Sequence, residues 1–309
     1  MATPLLIDTD MGVDDAMAVT LAVCSESIAL AGLVSVGGNV PVDQATTNVG
    51  RLLSGLQLAS WPPIARGLDQ TDADLQDAAH VFGADGLGEI DLPAPPNLEP
   101  EDHLALYERL IDTHGEDLVI LAIGPLTNLA AVMDRRPGLL ERAGRIIVMG
   151  GAVFCPGNVT KYAEFNFHRD PSAAATVLTS GLEITVVPLD VTRQVVMDES
   201  HAAHLSCSGT RSGEILGRML RYPMEQPTDE GAGKVLVHDA LALGVLLWPE
   251  IFIRSKMALE VVPDGEQTGR SKPRVVKDPT RKLGVVISVN VGDFLDNLVE
   301  QLCHERFVV

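Results

Sequence analysis

The chain reads as an α/β protein: an open, mainly parallel sheet flanked by helices, a Rossmann-type core forming one domain over residues 1–309. Three observations predict it. Short apolar runs alternate with segments of helical periodicity along the chain. Those runs are near-continuously apolar, as strands covered on both faces are. Several of them end in small or polar loops (8–14, 37–39, 123–125 and 150–157), which in this architecture converge on one rim of the sheet.

The elements follow in order. Pro4 to Ile7 is the first strand, and Asp15 to Val23 the helix after it. Ile28 to Val36 is a second strand, ended by Gly37-Gly38-Asn39. Val42 to Leu58 is a helix, because Ala45, Val49, Leu52, Leu53 and Leu56 fall on one helical face. Pro63 to Arg66 is a short strand, Glu101 to Thr113 a helix and Leu118 to Ile123 a strand broken by Gly124-Pro125. Leu126 to Met133 is helical, Arg145 to Met149 a strand, Pro171 to Ser180 a helix and Ile184 to Val187 a strand. Strand-like runs at Met257 to Val262 and Val285 to Val291 precede a last helix, Asp293 to Cys303. The Asp-, Gly- and Pro-rich stretch Leu68 to Pro100, with Phe82 to Gly88 inside it, reads as mobile surface loops, as does Tyr222 to Gly233.

Composition narrows the function. With 46% hydrophobic residues the chain can bury a large core, and with 4% aromatics that core must be aliphatic. A net charge of -19 speaks against a nucleic-acid or anionic-membrane surface, since phosphates would be repelled. Cys24, Cys155, Cys207 and Cys303 have neither CxxC nor zinc spacing, which suggests buried free thiols in a reducing compartment. The beginning of the chain enters a strand at once without a signal-peptide pattern, and no apolar run reaches the roughly 18–20 residues of a bilayer span. A cytoplasmic protein is expected.

The stretch Asp8-Thr9-Asp10-Met11-Gly12-Val13-Asp14-Asp15-Ala16 carries the strongest chemical signal. Four carboxylates at the end of the first strand disfavour one another's ionisation. A cap needs one of them, so a cation is the simplest relief, and oxygen ligands suit Ca²⁺ or Mg²⁺. Asp8 and Asp10 alternate onto one side of the strand end. Asp14 and Asp15 open the helix, one free to hold metal while the other faces substrate. Asn39 is a turn residue or an amide for a hydroxyl. Asn158, Glu164 and Asn166, set among Gly and aromatic residues, form a structural loop or a pocket for a polyhydroxylated ligand. His238-Asp239 opens an apolar helix, as an ordinary cap or as a general acid next to a metal carboxylate.

In combination these stretches resemble the inosine–uridine-preferring nucleoside hydrolases. The resemblance rests on the Asp-rich head, Val36-Gly37-Gly38-Asn39, Gly124-Pro125-Leu126-Thr127-Asn128, Val148-Met149-Gly150-Gly151, Ala163-Glu164-Phe165-Asn166 and His238-Asp239, in order over nearly the whole chain. It implies hydrolysis of the ribonucleoside N-glycosidic bond with one Ca²⁺. The implied ligands are Asp10, Asp15, Asp239 and the main-chain carbonyl of Ile123, completed by water and two ribose hydroxyls. Asp10 would accept a proton from the water and His238 would protonate the leaving base. Asp14 and Asn39 would grip the 2′-hydroxyl side of the ribose; Asn158, Glu164 and Asn166 would bind its 5′ and 3′ region. Asp8 would stand behind them, orienting Asp10 or loop amides. A homodimer or homotetramer is implied as well.

Three positions depart from the family pattern. Met11 replaces a frequent Pro, which should change loop stiffness and leave ligation intact. Phe82 stands where members often carry His near the base, with His80 two residues away. Tyr222 to Gly233 lacks a Tyr-rich base-contacting segment. The sugar end of the pocket therefore looks intact, and the choice of base stays open. Two rival readings remain. Asp8-Thr9-Asp10 after a strand also resembles the nucleophile motif of haloacid-dehalogenase-type phosphatases, but that leaves Glu164, Asn166 and His238-Asp239 unexplained. A non-catalytic nucleoside or sugar binder on the same fold would have no use for Asp10 and His238.

Overall fold

The computed structural model describes residues 2–69, 78–226, 232–275 and 283–304. Twelve strands are defined among them: β1 (Thr3–Thr9), β2 (Ile28–Ser35), β3 (Ile64–Arg66), β4 (Glu101–Asp102), β5 (Val119–Ala122), β6 (Arg145–Met149), β7 (Ile184–Val187), β8 (Val196–Asp198), β9 (Lys234–Leu236), β10 (Phe252–Val261), β11 (Ser271–Arg274) and β12 (Leu283–Val289). Ten form one sheet in the order β11-β10-β12-β7-β6-β5-β1-β2-β3-β4. It is parallel from β4 to β12, while β10 runs antiparallel to both β12 and β11. The expected open, mainly parallel sheet is therefore present.

Side-chain alternation feeds two aliphatic layers, one on each face. Leu5, Ile7, Leu121, Ile147 and Met149 enter one layer. Leu6, Ile120, Ile146 and Val148, offset by one residue, enter the other. The helix Val13–Cys24 is buried almost all round, because the apolar helix Asp239–Leu247 packs against it. No helix among the described residues is long and apolar enough to cross a membrane.

Strand order fixes where a ligand can sit. From β1 the chain builds outward through β2, β3 and β4; it then returns to β1's other side for β5, β6 and β7. The order reverses between β1 and β5, and the crevice outside the carboxyl ends at such a reversal is the binding place of open α/β sheets. The two-stranded antiparallel sheet of β8 and β9 brings residues just after β9 beside those just before β8, with the Val237 amide donating to the Val195 carbonyl.

Several expected boundaries shift for local reasons. The helix expected from Glu101 begins at His103, because Glu101–Asp102 pairs with β3 and Asp102 caps the helix through the Ala105 amide. β10 begins at Phe252, five residues before the expected strand; Ile253, Arg254 and Lys256 there are not buried, so the segment lacks an apolar run. The helices Glu199–Ser206 and Arg211–Met219 had no counterpart in the sequence reading. Only Cys24 of the four thiols is buried; Cys207 is exposed. Part of the segment Tyr222–Gly233 lies outside the described residues. Of the rest, Arg221–Glu225 is helical and the Gly233 amide donates to the Met224 carbonyl.

Candidate active site

The acidic head does not act as one cluster. Asp8 ends up on the β1 face that carries Leu6, where its Oδ2 accepts from the Tyr107 hydroxyl (2.6 Å) and Asn128 Nδ2 (3.0 Å). It bonds neither Asp10 nor a loop amide, contrary to expectation, since alternation turns it toward the helix His103–His114. Burial pushes its carboxyl up to about 7, against the pull of those two donors.

The other three acids converge at the β1/β5 reversal. Beyond β1 the chain turns at Met11, which has φ 50. Its amide donates to Thr9 Oγ1 (3.1 Å), and that hydroxyl donates to Asp15 Oδ1 (2.6 Å). A proline at this position could adopt neither the φ nor the hydrogen bond. Asp15 Oδ2 accepts from the Gly12 amide (2.9 Å). Asn39 then brackets two acids: its backbone amide donates to Asp10 Oδ2 (2.7 Å), and its Nδ2 to Asp10 Oδ1 and Asp15 Oδ2 (3.0 Å each). The donors of Asn39, expected to grip a sugar, are thus committed to carboxylates, leaving Oδ1. Gly38 is required here because a Cβ would collide with Asp10 Oδ2.

Asp14 faces the helix Asp239–Leu247. Its Oδ2 accepts from the His238 and Asp239 amides (2.7 and 2.9 Å), and its Oδ1 is buried without a hydrogen-bond partner among the described residues. Burial drives Asp14 up to about 7 despite those amides. Burial followed by the Asp15 charge holds Asp10 well above the carboxylate range, and burial followed by Asp14, Asp15 and Asp10 does so for Asp239. Asp15 is raised by burial too, against its hydrogen bonds. Half-buried His238 is pushed down to about 4, by burial first and the Arg193 guanidinium second, so it is neutral near pH 7.

The third side of the crevice comes from the loop after β6. Glu164 caps the short helix Phe165–Arg169: Oε1 accepts from the Asn166 amide (2.7 Å), and Oε2 from the Gly151 and Phe167 amides (2.9 and 3.1 Å). Asn166 Nδ2 donates to the carbonyls of Ile123 (2.9 Å) and Met149 (3.2 Å), which ties β5 and β6 ends together and leaves its Oδ1 without a hydrogen bond among the described residues. Asn158 is exposed at the mouth and accepts from the Phe165 amide (2.9 Å).

One cavity gathers Asp10, Asp14, Asn39, Ile123, Asn158, Glu164, Asn166, His238 and Asp239. Asp15 stands behind this wall, on Asn39 and Thr9. The same cavity is also lined by His80, Val81, Phe82, Val159 and Phe165. The loop carrying Phe82, expected to be mobile, is built on hydrogen bonds. Asp85 Oδ1 accepts from the Leu87 and Glu89 amides, Arg51 pairs with Asp85 (2.9 Å), and Asn48 Nδ2 donates to the Asp85 carbonyl (2.7 Å). A short carboxylate satisfying turn amides orders an Asp- and Gly-rich segment that has no periodicity.

The donor set suits a hard cation. Three mutually repelling, buried carboxylates and the strand-end carbonyl of Ile123 are all oxygen ligands, and the orphaned Asp14 Oδ1 needs a partner that the described residues do not provide. Among the described residues no three acidic, imidazole or thiolate side chains already surround a single ion position, and Asn39 Nδ2 lies between Asp10 and Asp15 instead. Sequence reading missed Thr9, Tyr107, Thr192 and the role of Asn128. Thr9 and Asn128 lay in noticed motifs without a signal for their roles; Tyr107 and Thr192 are joined to their acid or imidazole by the fold.

Comparison with known proteins agrees with this geometry. The family profile of the inosine-uridine preferring nucleoside hydrolases matches residues 5–296. The chain is 33% identical to uridine nucleosidase 1 of Arabidopsis thaliana, over 86% of this chain and 80% of that one. It is 31% identical to the pyrimidine-specific ribonucleoside hydrolase RihA of Escherichia coli O7:K1, over 98% and 99%. The structure superposes on the purine-preferring ribonucleoside hydrolase of Gardnerella vaginalis with a TM-score of 0.91 at 28% identity, covering 97% of this chain and 98% of that one. The chain belongs to the inosine-uridine preferring nucleoside hydrolase family, enzymes that hydrolyse N-glycosyl bonds.

Proposed function

We propose that this protein cleaves ribonucleosides to free base and ribose with Ca²⁺ at the β1/β5 crevice, held by Asp10, Asp15, Asp239 and the Ile123 carbonyl. The observation that carries the reading is the crowding of the buried, mutually repelling Asp10, Asp15 and Asp239 beside an unpartnered, buried Asp14 Oδ1. The chemistry such an ion supplies when bound is acidification and orientation of water. Asp10 is the base that takes the proton as water attacks C1′. Asp14 Oδ1 and Asn39 Oδ1 accept from the 2′ side of the ribose. Asn158, Glu164 and the Asn166 Oδ1 serve the 3′ and 5′ hydroxyls. Positive charge developing on the sugar falls among carboxylates. His238 faces the leaving base; being neutral, it begins as a hydrogen-bond donor to charge that builds on the base. The resemblance also supports a homodimer or homotetramer, which light scattering would measure.

The test is chromatography of free base from uridine, cytidine, inosine and adenosine, with Ca²⁺ and after chelation by EDTA. Calcium-dependent release from at least one of them is expected. Tight nucleoside binding without release would overturn the reading in favour of a binding protein.

A further inference from the structure

We propose that Thr192 is a positioning residue for the reaction: its hydroxyl donates to His238 Nδ1 and so fixes the imidazole as the tautomer that carries its proton on Nε2. The inference rests on the reading of His238 as the group facing the leaving base.

The Thr192 Oγ1 to His238 Nδ1 distance is 2.7 Å, and Thr192 is fully buried. Either atom of such a pair can donate, so the direction has to come from counting partners. Six other threonines in helices or at a helix end, Thr20, Thr46, Thr47, Thr113, Thr176 and Thr179, donate their hydroxyl to the carbonyl four residues back. Thr192 has such a carbonyl at Pro188, which already accepts its backbone amide (3.2 Å), yet its hydroxyl is turned to the imidazole. Among the described residues it has no other acceptor. A buried hydroxyl proton without an acceptor is costly, so the proton points at Nδ1 and Nδ1 is the acceptor. With Nδ1 accepting, the ring carries its proton on Nε2.

The rest of the surroundings keep this arrangement rigid. The Asp14 carboxylate accepts the His238 backbone amide, and the β8–β9 ladder brings the two segments together. The same turn, Leu189–Thr192, is fastened to the loop after β6 on its other side. Asp190 accepts from the Val153 and Phe154 amides (2.8 and 2.6 Å), and Arg193 donates to the Pro156 and Gly157 carbonyls (2.7 and 2.9 Å). Thr192 thus sits where the imidazole and the Asn158 loop share one support.

The test uses Thr192→Val, which keeps the shape and removes the hydroxyl, with Thr192→Ser as the rescue. In the calcium-loaded protein, ¹⁵N NMR of the wild-type His238 ring should show Nδ1 unprotonated and Nε2 protonated. The Val variant should show mixed tautomers. Its kcat on a natural nucleoside should fall roughly ten-fold with little change in KM, the scale of one lost hydrogen bond. Turnover of p-nitrophenyl riboside, whose leaving group needs no donor, should be unchanged, and Ser should restore the nucleoside rate. A wild-type ring protonated on Nδ1, or equal losses on both substrates, overturns the proposal. The ring spectrum stands apart from activity, so an absence of nucleoside cleavage in the wild type would sink the hydrolase reading without deciding the tautomer.

Discussion

The polar and the apolar walls of the cavity are built by different means. Asp10, Asp14, Asn39, Glu164 and Asn166 stand at strand ends or helix starts, and most of their polar atoms are held by a neighbour. Val81 and Phe82 on the short helix Ala79–Phe82, together with Val159 and Phe165, offer carbon surface to the same cavity, where Thr192 holds the His238 imidazole. Buried polar atoms with fixed partners tolerate little change. Apolar side chains outside the sheet can be exchanged without disturbing it. The difference explains how relatives named for uridine, pyrimidine and purine substrates surround one fold.

Four perturbations probe that contrast. Removing calcium should have the largest effect, abolishing turnover. It should also lower thermal stability, by about 2.7 kcal/mol relative to a hundred-fold saturating level. Activity and melting curves before and after re-addition check this, and an unchanged melting point would argue against an ion at the crevice. Next, Asp10→Ala should cut kcat by roughly 10³-fold, within the range for a lost general base, while D-ribose still binds by calorimetry. His238→Ala should slow natural nucleosides about 10²-fold and spare p-nitrophenyl riboside; equal losses would make the imidazole a substrate anchor. The smallest effect belongs to Phe82→His. It should shift the ratio of kcat/KM between uridine and inosine by about ten-fold without altering the melting temperature.

The same contrast governs what the sequence made legible. β6 and β7 were readable to the residue, since apolar runs stop at glycine, glutamate or proline neighbours. The acidic head and His238-Asp239 were readable as chemistry, because four carboxylates in eight residues have few structural uses. Asp8 was misassigned: spacing placed it beside Asp10, while the Tyr107 hydroxyl that claims it is 99 residues away. Asn39 was found, but its task was not; which donor goes to which carboxylate depends on how β1 and β2 align. Thr192 carried no signal at all, since its partner lies 46 residues on and meets it only through β8 and β9. The order in the Phe82 loop was equally hidden. It comes from Asn48 and Arg51 on a helix whose apolar face alone is visible in the pattern.

The division of labour between the polar and the apolar wall is tested most directly by comparing kcat/KM for uridine, 2′-deoxyuridine and a second ribonucleoside. Buried polar groups left unpaired by a missing hydroxyl should reject the deoxy substrate by about 10⁴-fold, whereas a change of base should alter the rate by no more than about 200-fold. A deoxy substrate turned over nearly as well as uridine, with base identity dominating instead, would contradict the account.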